Sequence, residues 1–160
     1  MKIKIIILAV ITAFSILGVQ AQKGMFDKLS NHKDITTVYI SKSLLKMMPD
    51  IDTGGADIKG LAGKLEQMEI YSSNSNKEAA NIIRNEVAGM VKSKTYEVLM
   101  KIKDQGSNIT FYAFKEKDKI KDLVMFIDQP DESTIIRIMG NFTAEDIQKV
   151  MDGADVNKKK

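Results

Sequence analysis

The chain has 160 residues, a formal net charge of +3 and no cysteine, which excludes disulfides, thiolate metal sites and a lipid-bearing N-terminal cysteine. His32 is the only histidine, so His-pair metal sites and Ser-His-Asp triads are excluded as well. The 24 basic and 21 acidic residues nearly balance, which argues against nucleic-acid binding. No cofactor is expected.

Residues 1–21 are expected to be a secretory signal peptide. Lys2 and Lys4 precede an uncharged, mostly apolar run of 15 residues that ends at Val19, and Ala21 supplies the small residue before the cleavage point. Because a helix needs roughly 20 apolar residues to cross a bilayer, a cleaved signal is favoured over an anchor. We expect an exported protein, periplasmic or extracellular, that begins at Gln22, is not a lipoprotein and keeps no integral membrane segment.

The first part of the mature chain predicts a helix, a strand and a second helix. Residues 22–34 form an N-terminal helical segment, and residues 36–40 are rich in β-formers. Ser41 is a suitable N-cap for a short apolar helix that stops before Pro49. Residues 49–63 predict a long surface loop, because they contain five Gly and Pro residues and three Asp.

The middle of the chain predicts a strand followed by the most regular helix. Residues 65–72 form a strand with Met68 and Ile70 on one face. Ser75 and Glu78 form a capping box, so a helix should begin there. The apolar stripe of this helix would contain Ala79, Ile82, Ile83, Val87, Met90 and Val91.

Four further strands predict an antiparallel meander, because short polar turns separate them. The strands begin near Tyr96, Asn108, Asp122 and Thr134. Thr143 then caps a final helix. The apolar residues of that helix are Ile147, Val150 and Met151.

Together these elements predict a single α+β domain, residues 35–152, followed by a disordered basic tail, residues 153–160. The four-strand C-terminal meander and one or two N-terminal strands would form an antiparallel sheet, with helices packed on one face.

Both faces of the predicted meander are apolar. One face is expected to lie under the helices, and it carries Val98, Met100, Ile102, Ile109, Phe111, Ala113, Leu123, Met125 and Ile127. An antiparallel sheet with one solvated face normally alternates between apolar and polar residues. The other face does not, so we expect it to be covered by the N-terminal segment, a second copy or another protein. The residues of this predicted interaction face are Leu99, Tyr112, Phe114, Val124, Phe126 and Met139.

Two short motifs resemble fragments of hydrolytic active sites. Ser43 and Lys46 match the S-x-x-K fragment of penicillin-recognising serine enzymes, but the companion S-D-N and K-T-G fragments are missing. Asp52-Thr53-Gly54 is the triplet of aspartic peptidases, in which a dimer would supply the second Asp. It follows Pro49 and Asp50 rather than an apolar strand, which favours a loop. A small hydrolase that uses Ser43 with Lys46, or Asp52 in a dimer, is the alternative to a non-catalytic protein.

The same loop offers oxygen ligands suited to Ca²⁺. Asp50, Asp52 and Asp57 lie close together, but the EF-hand register from Asp50 places Leu61 where the bidentate Glu is required. A weak, irregular site for Ca²⁺ or a small ligand is a third possibility, and solvated turn residues are the simpler interpretation.

Three long segments carry a resemblance to a known family. They are "MFDKLSNHKDITTVYISKSLLKMMP", "YEVLMKIKDQGSNITFYAFKEKDKIKDLVMFID" and "IIRIMGNFTAEDIQKVM", and the most specific positions are residues 26–28, residues 38–42 and Gly140. The chain resembles, from about Met25 to Met151, a family of small exported proteins of Gram-negative bacteria catalogued only as a domain of unknown function, number 4252. Members often have lipoprotein-type signals, and this chain departs from them because it has no cysteine.

The resemblance implies a protein of the cell envelope or the exterior with no assigned enzyme activity and no catalytic residues to transfer. We therefore expect a non-catalytic module that presents its apolar sheet face to an unknown envelope protein or to a second copy.

Overall fold

The computed structural model describes residues 24–47 and 63–148. The helices are α1 (Asp27–Ser30), α2 (Lys42–Met47) and α3 (Lys77–Lys92), and residues 144–148 form a helical turn. The strands are β1 (Thr36–Ser41), β2 (Leu65–Ser72), β3 (Glu97–Asp104), β4 (Ser107–Glu116), β5 (Lys119–Asp128) and β6 (Ser133–Phe142). The predicted signal, the loop with Asp50, Asp52 and Asp57, and the basic tail lie outside the described residues.

Within the described residues, the six strands form one sheet in the order β1-β2-β6-β5-β4-β3, and every neighbouring pair is antiparallel. The chain leaves β2, crosses the sheet through α3 to the far edge strand β3, and returns as a four-strand meander until β6 pairs with β2. The predicted α+β class and the predicted four-strand meander are confirmed, and of the one or two N-terminal strands expected in the sheet, two are present.

Helix α3 begins one residue later than the capping box predicts. Asn74 and Ser75 both adopt positive φ angles, so the chain is still turning at the expected cap. Asn76 is the first extended residue, and its side chain accepts a hydrogen bond from the backbone N–H of Ala79 at 3.0 Å. The predicted apolar stripe is otherwise buried or half-buried, except for the exposed Val91.

Helix α3 covers one face of the sheet together with α1. Its residues Ile83 and Val87 share a hydrophobic cluster with Phe26 of the N-terminal segment and with Val124 and Ile135 of the central strands. We expected the face that carries Met125 to lie beneath the helices. It is instead the face opposite α1 and α3. Alternation with period 2 identifies two faces but does not say which of them a helix covers.

A second, smaller cluster lies at one end of the other face. It contains Leu45 of α2, Ile147 of the helical turn, and the sheet residues Leu65 and Phe142. The predicted cap of the turn is confirmed, since Thr143 Oγ1 accepts from the N–H of Asp146 at 3.2 Å.

Asp146 accepts a reciprocal hydrogen bond from the capping residue Thr143 and also binds a lysine. Its carboxylate accepts from the N–H of Thr143 at 2.8 Å, and the Lys64 ammonium donates to both carboxylate oxygens at 2.6 and 2.7 Å. The hydrogen bond from Lys64, aided by those from Thr143, holds the pKa of Asp146 well below its usual range. This pair ties the residue before β2 to the helical turn that follows β6.

Gly140 is the position where β6 passes closest to its surroundings. A Cβ atom there would collide with the ring of Phe142 and with the backbone oxygen of Lys64. The backbone oxygen cannot move away easily, because it accepts a hydrogen bond from the N–H of Asn141 at 3.1 Å. Glycine at position 140 is therefore a packing requirement of this fold.

We expect Gly140→Ala to lower the free energy of unfolding by about 1–3 kcal/mol, the range for overpacking a close contact. Gly89→Ala is the matched control, because a Cβ at Gly89 on α3 meets no atom within 4 Å. That control should raise stability by about 0.5–1 kcal/mol through helix propensity. Urea titrations followed by circular dichroism would measure both changes, and an equal effect of the two substitutions would contradict the steric explanation.

Candidate functional site

One face of the sheet carries an unbroken apolar row. The strand registers place one apolar side chain from every strand side by side. In sheet order these are Val38, Ile70, Ile136, Met125, Phe111 and Met100. A shorter neighbouring row on three strands consists of Ile127, Ile109 and Ile102. We call these nine residues the open face.

The helices of the described structure leave this face uncovered. Among the described residues, its members belong to neither hydrophobic cluster, and each is partly or well exposed. Val38 is 40% exposed and Ile102 is 37% exposed. Six strands about 4.8 Å apart make the long row about 24 Å wide. A contiguous apolar patch of this extent typically marks an interaction site.

The open face begins where the second cluster ends. Leu45 and Ile147 belong to that cluster, and Ile138 packs against it. Ile136 lies two residues from Ile138 on the same side of β6 and is already outside the cluster. The open face is therefore a continuation of the buried core that α2 and the helical turn do not reach.

The residues of the predicted interaction face lie in the interior or at its border. Tyr112 and Val124 are buried in the cluster beneath α3, and Phe114 and Phe126 pack against the same cluster. The ring of Phe114 lies 5.9 Å from that of Tyr96.

The other two predicted interaction residues are also covered by the chain itself. Leu99 packs against the second cluster, and Met139 is half-buried opposite Asp122. The choice of face was therefore wrong for five of the six residues, although the expectation that the N-terminal segment helps to cover their face is met by α1. The exposed apolar surface is on the other side of the sheet. Leu99 lies at the register shift of β3 and packs on the side of the second cluster.

The interior face contains a buried charged cluster that the sequence reasoning missed. Arg137 on β6 is fully buried, and its guanidinium donates to Asp122 Oδ2 at 2.6 and 2.9 Å and to Glu69 Oε2 at 3.3 Å. The ring of Phe26 stacks against it, with 5.6 Å between its centroid and Arg137 Cζ. The available signal was Arg137, the single charged residue in the middle of the apolar strand β6.

Two tyrosines complete this cluster. Tyr96 donates to Asp122 Oδ2 at 2.7 Å, and Tyr71 donates to Glu69 Oε2 at 3.0 Å. Burial raises the pKa of Tyr71 to about 12, and burial together with Asp122 raises that of Tyr96 further. Burial opposes the charge of Arg137, but its hydrogen bonds to Asp122 outweigh this and raise its pKa.

The charged cluster lies in the interior of the described part of the chain. Its five ionisable side chains are all buried, and in the described part of the chain Asp122 Oδ1 is buried without a hydrogen-bond partner. Perturbed groups of this kind occur in active sites as well as in structural ion pairs. Here Arg137 on β6 bridges Glu69 on β2 and Asp122 on β5, so the cluster joins three neighbouring strands.

Ser43 and Lys46 are the pair of the hydrolase alternative. Both lie on α2 with exposed side chains, and the described structure contains no hydrogen bond between them. The described residues also contain no group of three or more His, Cys, Asp or Glu side chains that could hold a metal ion. None of the helices in the described ranges is long and apolar enough to cross a membrane. Asp52 and the other loop aspartates lie outside these ranges.

Comparison with known proteins gives one match. The sequence model of a family described as Domain of unknown function (DUF4252) matches residues 26–150, which is most of the chain and includes every strand of the sheet. No curated protein and no solved structure matched the chain.

We expect Arg137→Met to lower the free energy of unfolding by about 3–5 kcal/mol, because it leaves two buried carboxylates without their partner. Adding Glu69→Gln and Asp122→Asn should restore part of that loss, since no buried charge then remains. Lys77→Met, which removes an exposed ion pair with Asp131, is the control and should leave stability nearly unchanged. Urea unfolding would measure all three, and an Arg137→Met loss no larger than that of Lys77→Met would contradict the role of the cluster.

Proposed function

The chain belongs to the family described as domain of unknown function 4252, and we propose that it is an exported, non-catalytic interaction module that binds a protein partner through the open face. The observation that carries the proposal is the row of six apolar side chains from Val38 to Met100, which crosses every strand of the sheet. It lies opposite the face that α3 covers.

The composition of the open face defines the partner's chemistry. Its nine side chains carry no charge and no hydrogen-bond donor, so an apolar surface complements them best. Phe111 in the middle of the row supplies a large ring, and the adjacent Met125 and Met100 have flexible side chains that adapt to a partner's shape. A protein segment with an apolar stripe, such as an amphipathic helix laid across the strands, fits this surface.

Export is supported by the first 21 residues, which have the basic start, apolar run and small residues of a cleaved signal. We expect the protein recovered from the periplasm or the medium to begin at Gln22. Intact-mass measurement after cell fractionation would test this. Protein that retains Met1 and stays in the cytosol would contradict export without bearing on the open face.

Photo-crosslinking tests the open face itself. A photoreactive amino acid at Ile136, in the centre of the long row, should give a discrete adduct in living cells. Asn85, on the exposed side of α3, is the control position and should give none. The absence of an adduct at Ile136, or equal yields at the two positions, would contradict partner binding through the open face.

The adduct identifies a partner that can then be purified for a binding measurement. Met125→Lys should weaken its binding at least about tenfold, because a charge would be buried without a counter-ion at the centre of the contact. Asn85→Lys should leave the affinity unchanged. Equal affinities of the wild type and Met125→Lys, with both variants folded, would refute the proposal.

A further inference from the structure

We propose that β1 is a docking edge at which a second copy of this chain adds its own β1 in antiparallel orientation. The inference goes beyond the proposed function, because it concerns the edge of the sheet rather than its open face. It rests on the direction of the backbone groups of β1, on the exposure of its side chains and on the contrast between the two edges of the sheet.

The backbone groups of alternate β1 residues point away from the sheet. Ser73 donates its N–H to the carbonyl of Ser133 across the β2–β6 pair. The odd-numbered residues of β2 therefore direct their backbone N–H and C=O groups toward β6, and the even-numbered residues direct theirs toward β1. Val38 lies opposite Ile70 and therefore points its N–H and C=O toward β2. Tyr39 must then direct its own N–H and C=O to the open edge.

The side chains of β1 leave this edge accessible from both sides. Tyr39 is 61% exposed on the face that carries α3, and Val38 is 40% exposed on the open face. In the part of the chain that the structure describes, β1 pairs only with β2. An incoming strand therefore meets a row of free donors and acceptors flanked by accessible side chains.

The opposite edge of the sheet is protected, and β1 is not. Strand β3 carries Glu97, Lys101, Lys103 and Asp104, and its pairing with β4 is interrupted by a register shift, both of which hinder edge-to-edge association. Strand β1 reads Thr-Thr-Val-Tyr-Ile-Ser, without charge, Pro or Gly, and its register with β2 is continuous. This difference indicates that pairing is blocked at one edge and permitted at the other.

A second copy is the occupant that these features fit best. An antiparallel copy brings no charge into contact with the neutral β1, so no like charges face each other. It also places the Val38 side chains of the two molecules on the same side, because opposed residues in an antiparallel pair share a face. The open faces then join into one apolar row across both sheets.

The expected dimer is weak, because two strands of six residues bury less surface than a standard interface. Sedimentation velocity of the purified protein from about 1 µM to about 500 µM should show reversible dimerisation, a range suited to such small interfaces. Thr37→Lys, which adds a charge at the edge of each copy, should raise the dissociation constant about three- to fivefold, because like charges then meet across the paired strands. Tyr39→Pro should do the same, because it removes an outward N–H without touching the bonds to β2.

Two controls separate the edge from the open face. Ile102→Lys adds the same charge to the opposite edge and should leave the dimer intact. Met125→Lys, which is expected to weaken partner binding, should not affect dimerisation either. A dimer lost in Met125→Lys but kept in Thr37→Lys would show that the copies meet through the open face and would overturn the inference.

Disulfide crosslinking gives a second readout that does not depend on equilibrium stability. The chain has no cysteine, so a single cysteine at position 37, 38 or 39 reports only on its own copy in the partner molecule. Opposed residues of an antiparallel pair lie about 5.5 Å or less apart, within reach of a disulfide. One of these variants should crosslink much faster than Ile102→Cys. Equal rates at both edges, or a monomer at every concentration, would refute the docking edge.

Discussion

The burial of Arg137 is the constraint on which the central sheet depends. Its guanidinium joins Asp122 on β5 to Glu69 on β2, the two strands that flank β6. A slip of one residue in either pairing would move a charged side chain to the opposite face and leave its partner buried alone. The hydrogen bonds from Tyr96 and Tyr71 extend the same network to the start of β3 and to β2. The cluster therefore fixes the register of β2, β6 and β5. It also determines which face of the sheet α1 and α3 cover.

The open face exists because the described helices cover only one face of the sheet fully. The sheet has two apolar faces, but α3, with 16 residues and a length of about 24 Å, can lie along only one of them. Helix α2 and the turn at 144–148 cover one end of the other face through Leu45 and Ile147. In the described ranges, the remaining sheet surface has no helix above it. The exposure of that surface is therefore a consequence of the architecture, and a contiguous apolar row across six strands is typical of an interaction site.

The local elements of this fold were predictable from the sequence, whereas the assignment of its faces was not. Polar turns and β-rich runs locate all six strands, and the cap and apolar stripe locate α3 to within one residue. The face that α3 covers depends on contacts between distant strands, which period-2 alternation does not encode. Arg137 was the overlooked signal, since a charged residue inside an apolar strand must find buried partners. Because Arg137 is charged, the sequence suggested that its face of the sheet was exposed, although that face is the interior one.

Val38 connects the two surfaces of this protein, because it ends the long apolar row and also lies on the edge strand. A partner that spans the joined faces of two copies would contact both Val38 side chains, whereas on a single copy it would reach the end of the sheet there. Such a partner would bind the dimer more tightly than the monomer. By thermodynamic reciprocity, its binding would strengthen dimerisation by the same factor. The weak contact between two β1 edges would thus be strengthened when a partner occupies the open face. Without that partner, most of the protein would remain monomeric.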